Sequence, residues 1–378
     1  MKILFVSEAY LPGKKAGGPV KSLSSLIQNL PVEFEPFVLT SNRDTPNNDI
    51  FKEIETNTWY KLGRASVMYI EPSDFTSSFF EEFVNKNNFD ILYFNSFLQN
   101  FTVKAYKFLL NEKNRKIIIA TRGELSKGAL NQKRLKKSIF LFIYKYFLFN
   151  EKYYFHFTDI KEKEDFERIL KKINNYYVLP NFVLKPEVYN NKNKDSNLLK
   201  IVSISRILPM KNLFYSINVL KNCKSDIIFD IYGPVEDQNY WEKCKQLIEK
   251  LPQNIKVCYR GALDPNEVTS VYTKYDAFLS PTLGENFGHS IFEGMSVGCV
   301  PIISNRTPWT GLEKMGIGWD IPLENADKFS EVIDYLALME DRNFSAVKTK
   351  LVEFSEKKIE ELNKVDGLKK MFSKNMEA

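Results

Sequence analysis

Residues 276–305, DAFLSPTLGENFGHSIFEGMSVGCVPIISN, run from one apolar stretch to another through a polar, glycine-bearing loop. A strand is expected to end near Ser280, a helix to run from about Gly288 to Val297 and stop at Gly298, and a second strand to extend through Ile303. The stretch is a β-loop-α-β unit. Within the helix Ile291, Phe292 and Met295 share one face, which leaves Glu293 pointing well away from them and free to meet a ligand.

The first turn, Asn286 to Ser290, is expected to carry backbone N–H groups with no intrahelical partner, at the positive end of the macrodipole. A phosphate fits there. Glu285 lies in the loop just before those donors, where a lone carboxylate would compete with the phosphate. Its place makes sense if it accepts hydrogen bonds from sugar hydroxyls beside the phosphate, while Glu293 accepts from a ribose diol, as acids do in dinucleotide folds.

The pair Glu285-x7-Glu293, with Asn286-Phe287-Gly288 inside it, resembles the signature of retaining glycosyltransferases of family 4, which have the GT-B fold. The whole run from Pro281 to Trp309 is similar. Two glutamates eight apart are a weak signal alone; set between two apolar strands with Gly284, Gly288, Gly294 and Gly298 they are a strong one. The plain alternative is a capping acid and a solvated helix acid. The resemblance implies an α/β chain of two Rossmann-like parallel-sheet domains facing a central cleft, with a C-terminal helix crossing back to the first. It assigns Asn286, Phe287, Gly288, His289 and Glu293 to donor binding.

At 378 residues the chain is long enough for two cores. Hydrophobic residues at 44% and charged residues at 26% are ordinary for a globular protein, whereas 30 Phe and 19 Tyr suggest more aromatic surface than a core needs. A net charge of +6 does not argue for nucleic acid, and no nucleic-acid partner is expected. The four cysteines, at 223, 244, 258 and 299, show no C-x-x-C spacing and read as reduced thiols of a cytoplasmic protein. With His only at 156 and 289 and no D-x-D pair, no protein-held metal and no cofactor are expected. The opening MKILFVSEAYLP reads as a first strand rather than a leader, and no stretch reaches the length of a membrane span.

Residues 2–6 suit a buried parallel strand, followed by a loop at 12–19 and a helix from about Val20 to Leu30. Gly17 and Gly18, beside Lys14 and Lys15, let backbone come close to a phosphorylated ligand; a plain surface turn is the alternative. Strand-like runs at Phe34–Leu39, Ser66–Ile70, Ile91–Asn95 and Ile117–Thr121 continue an α/β alternation. Two of them end in Asn95-Ser96 and Thr121-Arg122-Gly123-Glu124, and ligands in such sheets bind beyond the carboxyl ends of strands. Many family 4 enzymes have a histidine that touches the donor sugar where this chain has Arg122. The resemblance thus makes Arg122 a donor contact, and a structural ion-pair role is its alternative. His156, in YYFHFTD, reads as a packed or hydrogen-bonded histidine.

Residues 101–150 hold twelve Lys or Arg against two acids, Glu112 and Glu124. Inside this window and just beyond it, residues 132–155 mix basic and bulky aromatic residues along one expected helix. Part must cover the sheet; the excess suits a helix lying at an anionic bilayer surface, with a helix that serves the core alone as the alternative and nucleic acid as a lesser one.

Residues 185–197 are polar and read as the linker between a first domain, 1–184 with a crossover helix in 363–378, and a second, 198–362. The second restarts with a strand at Leu199–Ile204, then Arg206 and Lys211 astride a turn containing Pro209. Two cations there could grip a diphosphate from two sides, a fork and a point charge; a surface ion-pair role is the alternative. Family 4 enzymes use an Arg-x4-Lys pair in this position, which implies that Arg206 and Lys211, with Glu285, form the catalytic set. Strands at Ile227–Tyr232 and Ile255–Tyr259 end at Gly233 and Gly261, where backbone could approach a nucleotide base.

By resemblance the chain is a metal-independent retaining glycosyltransferase of polysaccharide-assembly type. Its donor is a nucleoside-diphosphate sugar, a UDP-sugar first, and its acceptor a lipid-linked saccharide in capsule or surface-polysaccharide synthesis. It is placed in the cytoplasm, peripheral on the inner face of the membrane. A nucleotide-sugar epimerase of the same fold is one rival. A non-catalytic partner subunit is the other, kept open by Asn95 and Arg122 where histidines are expected.

Overall fold

The computed structural model describes residues 1–13, 17–44, 49–126, 130, 134–187, 189 and 198–373. The chain divides into two compact units, residues 1–183 with 362–378, and residues 184–361.

Unit 1 is built on an eight-stranded sheet. In chain order its strands are β1 (Lys2–Val6), β2 (Glu35–Ser41), β3 (Trp59–Leu62), β4 (Ala65–Ile70), β5 (Ile91–Phe94), β6 (Lys116–Ala120), β7 (Tyr154–Phe157) and β8 (Tyr176–Val178). They lie in the order β8-β7-β6-β5-β1-β2-β4-β3, and only β3 is antiparallel to its neighbour. ILFV in β1 and ILYF in β5 are apolar at every position because both faces are covered.

Alternation sorts these side chains into two cores. Ile3 and Phe5 face α1 (Gly18–Gln28), while Leu4 and Val6 share a core with α2 (Ser77–Asn87), α3 (Asn100–Leu109), α4 (Arg134–Ile143) and α5 (Ile160–Ile169). Strand order reverses between β1 and β5, so the loops after Val6 and Phe94 lie side by side.

Unit 2 repeats the plan with six parallel strands, β9 (Leu198–Ile204), β10 (Asp226–Tyr232), β11 (Ile255–Gly261), β12 (Ala277–Ser280), β13 (Val300–Ser304) and β14 (Trp319–Ile321). Their order is β11-β10-β9-β12-β13-β14, which puts the reversal between β9 and β12. Its helices are α6 (Leu213–Leu220), α7 (Gln238–Ile248), α8 (Val268–Tyr272), α9 (His289–Ser296), α10 (Leu312–Met315), α11 (Ala326–Leu338) and α12 (Asp341–Leu362).

The last helix, α13 (Val365–Phe372), belongs to unit 1. Its Leu368, Met371 and Phe372 are fully buried beside Phe5, Phe34 and Tyr93, with ring centroids 5.8–5.9 Å from that of Phe372.

Several boundaries differ from those expected. The helix foreseen over 132–155 ends earlier: α4 passes into one π-helical turn, Tyr144–Leu148, and Tyr154 and Phe155 belong to β7. Gln132 and Lys133 lie outside the described residues, as do Lys14, Lys15 and Ala16 of the first glycine loop, 188 and 190–197 of the expected linker, and 374–378. The second glycine-bearing helix begins at His289, so Asn286 and Phe287 are loop.

Candidate functional site

At the unit 2 reversal, the loop after β9 and the loop after β12 are tied backbone to backbone. Leu283 N donates to Met210 O at 2.9 Å, Thr282 Oγ1 to the same carbonyl at 3.1 Å, and Asn212 Nδ2 to Pro281 O at 2.9 Å. This stitching brings Lys211, on a 3₁₀ turn (Pro209–Lys211), against Glu285, and Lys211 Nζ pairs with Glu285 Oε1. Both side chains are largely buried, at 20% and 15% exposure. A carboxylate beside a helix N-terminus is repulsive to an anion only while it lacks a counter-charge, and Lys211 supplies one.

Arg206 stands at the start of the same loop, 43% exposed, and donates from Nη1 to both oxygens of Glu236 at 3.0 and 3.2 Å. The loop geometry depends on Gly233 just beyond β10. With φ 141° it passes so near the preceding turn that a Cβ would sit 1.8 Å from Ser205 O. Gly233 is thus required by a backbone crossing inside unit 2, whatever it does for a ligand.

The N-terminus of α9 is prepared by three ties. Gly288 is the N-cap in the left-handed region, φ 76°, with no side-chain cap and no acid in the first turn. Ser290 Oγ donates to Ile204 O at 2.7 Å, and Tyr272 OH, 2.7 Å away, donates to Ser290, since a hydroxyl has one proton to give. Trp309 Nε1 donates to Phe287 O at 2.6 Å, its ring stacks on Phe292 at 5.0 Å, and Phe287 packs on both Trp309 and His289. Phe287 is therefore a wall. Asn286 is exposed; His289 and Glu293 are half-buried, with Glu293 Oε2 enclosed by protein.

In unit 1, α1 starts at Gly18 behind Gly17, which has φ 61° and no acid in the following turn. Asn95 Nδ2 donates to Pro19 O at 3.3 Å, and Arg122 Nε donates to Asn95 Oδ1 at 2.9 Å. Arg122 also donates from Nη1 to Asn181 Oδ1 at 2.8 Å and from Nη2 to Tyr93 OH at 2.7 Å. Its three acceptors are uncharged. The turn itself is left-handed, φ 49° at Arg122 and 71° at Gly123. Buried Glu162 holds it, accepting from Thr121 Oγ1, Gly123 N, and Thr158 N and Oγ1.

Behind Arg122, Tyr93 OH lies 2.7 Å from His156 Nδ1, whose Nε2 is 2.9 Å from Leu179 O. Burial, then the Arg122 charge, pushes His156 down to about 3, so the ring is neutral. Burial raises both Glu8 and Glu124. Glu124 accepts from Ser96 Oγ, Phe97 N and Leu98 N, which pins the loop after β5. Tyr93 and Asn181 had no signal in the sequence: Tyr93 sits in an apolar strand and Asn181 follows a proline. Among the described residues no group of three or more His, Cys, Asp or Glu is placed to hold a metal ion.

Residues 185–352 match the family described as Glycosyl transferases group 1. Poly(glycerol-phosphate) alpha-glucosyltransferase of Bacillus subtilis is 28% identical over 193 residues, which is 50% of this chain and 28% of that protein. The chain thus matches little more than a quarter of that relative. Among solved structures, Anabaena HepE in complex with UDP and glucose aligns with a TM-score of 0.70 at 15% identity, covering 98% of this chain and 99% of that one. Sucrose-phosphate synthase from Thermosynechococcus elongatus gives 0.67 at 15% identity, covering 96% and 98%. Identity so low speaks for the fold, and the fold is GT-B.

Proposed function

We propose that this chain, which carries a group 1 glycosyltransferase domain of the GT-B superfamily, moves a sugar from a UDP-sugar to an acceptor hydroxyl with retention at the anomeric carbon. The observation that carries the proposal is the part-buried Lys211–Glu285 pair beside the N-terminus of α9, which has no side-chain cap, at the reversal point of the unit 2 sheet. Cation, acid and helix dipole meet where such sheets bind ligands.

In this reading the donor diphosphate takes Arg206 in place of Glu236, shares the Lys211 charge with Glu285, and takes the α9 amides as hydrogen-bond donors. The bond from the anomeric carbon to the β-phosphate oxygen breaks. The acceptor oxygen bonds to the same face of that carbon, and its proton passes to the leaving phosphate. Charge grows on the diphosphate, which is where the two cations and the helix act, without a protein-held metal. Glu285, with Lys211 still beside it, accepts from the sugar hydroxyls, and Glu293 from the ribose. Asn286, Phe287, Gly288 and His289 shape the donor site, and Gly233 adjoins it. Gly17, Gly18 and Arg122 are the unit 1 residues assigned to the donor.

A UDP-sugar is favoured because the Anabaena neighbour is in complex with UDP and glucose. The Bacillus relative is named for a glycerol-phosphate polymer, which favours a polymeric acceptor; a lipid-linked saccharide in capsule or surface-polysaccharide synthesis is the acceptor we propose. The work would then be done in the cytoplasm, at the inner face of the membrane. None of the described helices is long and apolar enough to cross a membrane.

Incubation with UDP-, GDP- and TDP-sugars tests the reading. Release of UDP from a UDP-sugar is expected, with loss of roughly 10²–10³ in rate for Lys211→Ala, Arg206→Ala or Glu293→Ala while the protein stays folded. Full turnover by Lys211→Ala would overturn the diphosphate assignment.

A further inference from the structure

Helix α4 and the π turn that extends it have two apolar faces, and among the described residues only one of them is packed into the core. On the inner side Leu141 and Tyr144 are buried, and Phe140 packs with them against Tyr106 and Phe97, at centroid distances of 4.6–6.1 Å. On the outer side Leu135, Ile139, Phe142, Ile143, Tyr146 and Phe147 are 42–75% exposed. The spacing of these six, in steps of three and four, is that of one helical face. Successive steps of four drift by about 40° around an α-helix. The wider π turn at Tyr144–Leu148 rotates the other way and returns Tyr146 and Phe147 to the stripe. Six large side chains in one patch exceed the scattered exposure normal for a surface.

The sequence around the patch has one sign of charge. Between Glu124 and Glu151 there is no Asp or Glu, while Lys127, Lys133, Arg134, Lys136, Lys137 and Lys145 fall within that interval. A protein partner for such a face would itself have to be acidic around an apolar centre, two features that an anionic bilayer offers together. An apolar stripe in a segment whose charges are all positive matches the interface of an anionic bilayer, where acyl chains take the rings and headgroups take the lysines.

We infer that the outer face of residues 135–147 docks on a membrane rich in anionic lipid and lies in the headgroup plane. The inference rests on the transferase reading only for its purpose, which is to hold the enzyme where a lipid-linked acceptor presents its sugar.

Co-sedimentation of the full chain with phosphatidylglycerol vesicles and with phosphatidylcholine vesicles tests it, with a triple variant Ile139→Ser, Phe142→Ser, Phe147→Ser beside it. All three side chains are outside the core, so the thermal midpoint of the variant is expected to match that of the wild type. Binding to phosphatidylglycerol that weakens roughly a hundredfold in the variant, and weakens with added salt, is the expected result. Wild-type protein that ignores both vesicles, or a variant that binds as well as wild type, overturns it. So does a wild-type dimer in solution that the variant abolishes while vesicle binding is absent, since the face would then pair two copies. Release of UDP from a UDP-sugar, measured on the same samples, separates the two readings: turnover without vesicle binding removes only this one.

Discussion

Leu179 O can only accept, so His156 Nε2 must carry the ring proton and Nδ1 must accept from the Tyr93 hydroxyl. The lone pairs of Tyr93 then face Arg122 Nη2, and the direction of every hydrogen bond in the chain from Leu179 to Arg122 is fixed. That order holds only while His156 is neutral. In the folded protein its value lies at about 3, against 6.5 for an ordinary histidine, so between those values the unfolded chain binds a proton that the fold refuses. Stability from this group is complete above about pH 6.5 and is lost as pH falls toward 3. His156→Gln, which cannot titrate, is expected to show a shallower fall of thermal midpoint between pH 7 and pH 4 than the wild type. Comparing the two proteins in the same buffers cancels Glu8 and Glu124, whose raised values act in the opposite direction. Equal slopes would mean that His156 is not held neutral by its surroundings. Lys211 and Glu285 make the complementary case at the other site: each was readable as a ligand residue from local spacing. Their pairing, across 74 positions of sequence, was not, because it depends on which loops the sheet order makes neighbours.

At the level of elements, the Arg206 loop exists because β10 can leave the sheet through Gly233. Gly233→Ala would place a methyl group against Ser205 O in a backbone region that side chains rarely adopt, and should destabilise unit 2 by at least about 2–3 kcal/mol. Gly284→Ala, in the neighbouring loop, meets nothing within 4 Å and is the control, expected within about 0.5 kcal/mol of wild type. Urea denaturation of both measures the difference; a neutral Gly233→Ala would show that the two backbones can part. β14 is three residues long with Asp320 at its centre and gave no apolar run, whereas the other five unit 2 strands were legible as such runs, two of them stopped at Ser280-Pro281 and Tyr232-Gly233-Pro234. The end of α4 was not. Phe149 and Tyr153 continue the apolar pattern past the true break, and nothing local marks the π turn, whose second apolar face serves the surface rather than the core. Strand β3 escaped notice for another reason: WYKL is half-exposed and antiparallel at a sheet edge, with neither the length nor the alternation that identifies a strand.

For the whole molecule, the consequential fact is that the last helix returns to the sheet that begins the chain. The motif of α13 is plain in sequence, since Leu368, Met371 and Phe372 recur at helical spacing, but its destination came from family resemblance and not from the residues. In the structure Phe372 sits among Phe5, Phe34 and Tyr93, so unit 1 closes one of its two cores only when the C-terminus is in place. Lys116 holds the end of the helix by donating to Ser373 O at 3.0 Å and to Tyr177 OH at 2.9 Å. Phe372→Ala should therefore cost about 3–5 kcal/mol, and the loss should belong to unit 1. Hydrogen exchange followed by mass spectrometry reads this directly: amides of β1 and β5 should lose protection in the variant while β9 and β12 keep theirs. If protection instead falls equally in both sheets, the two units unfold as one body, and the C-terminal helix stabilises the molecule as a whole rather than the core it fills.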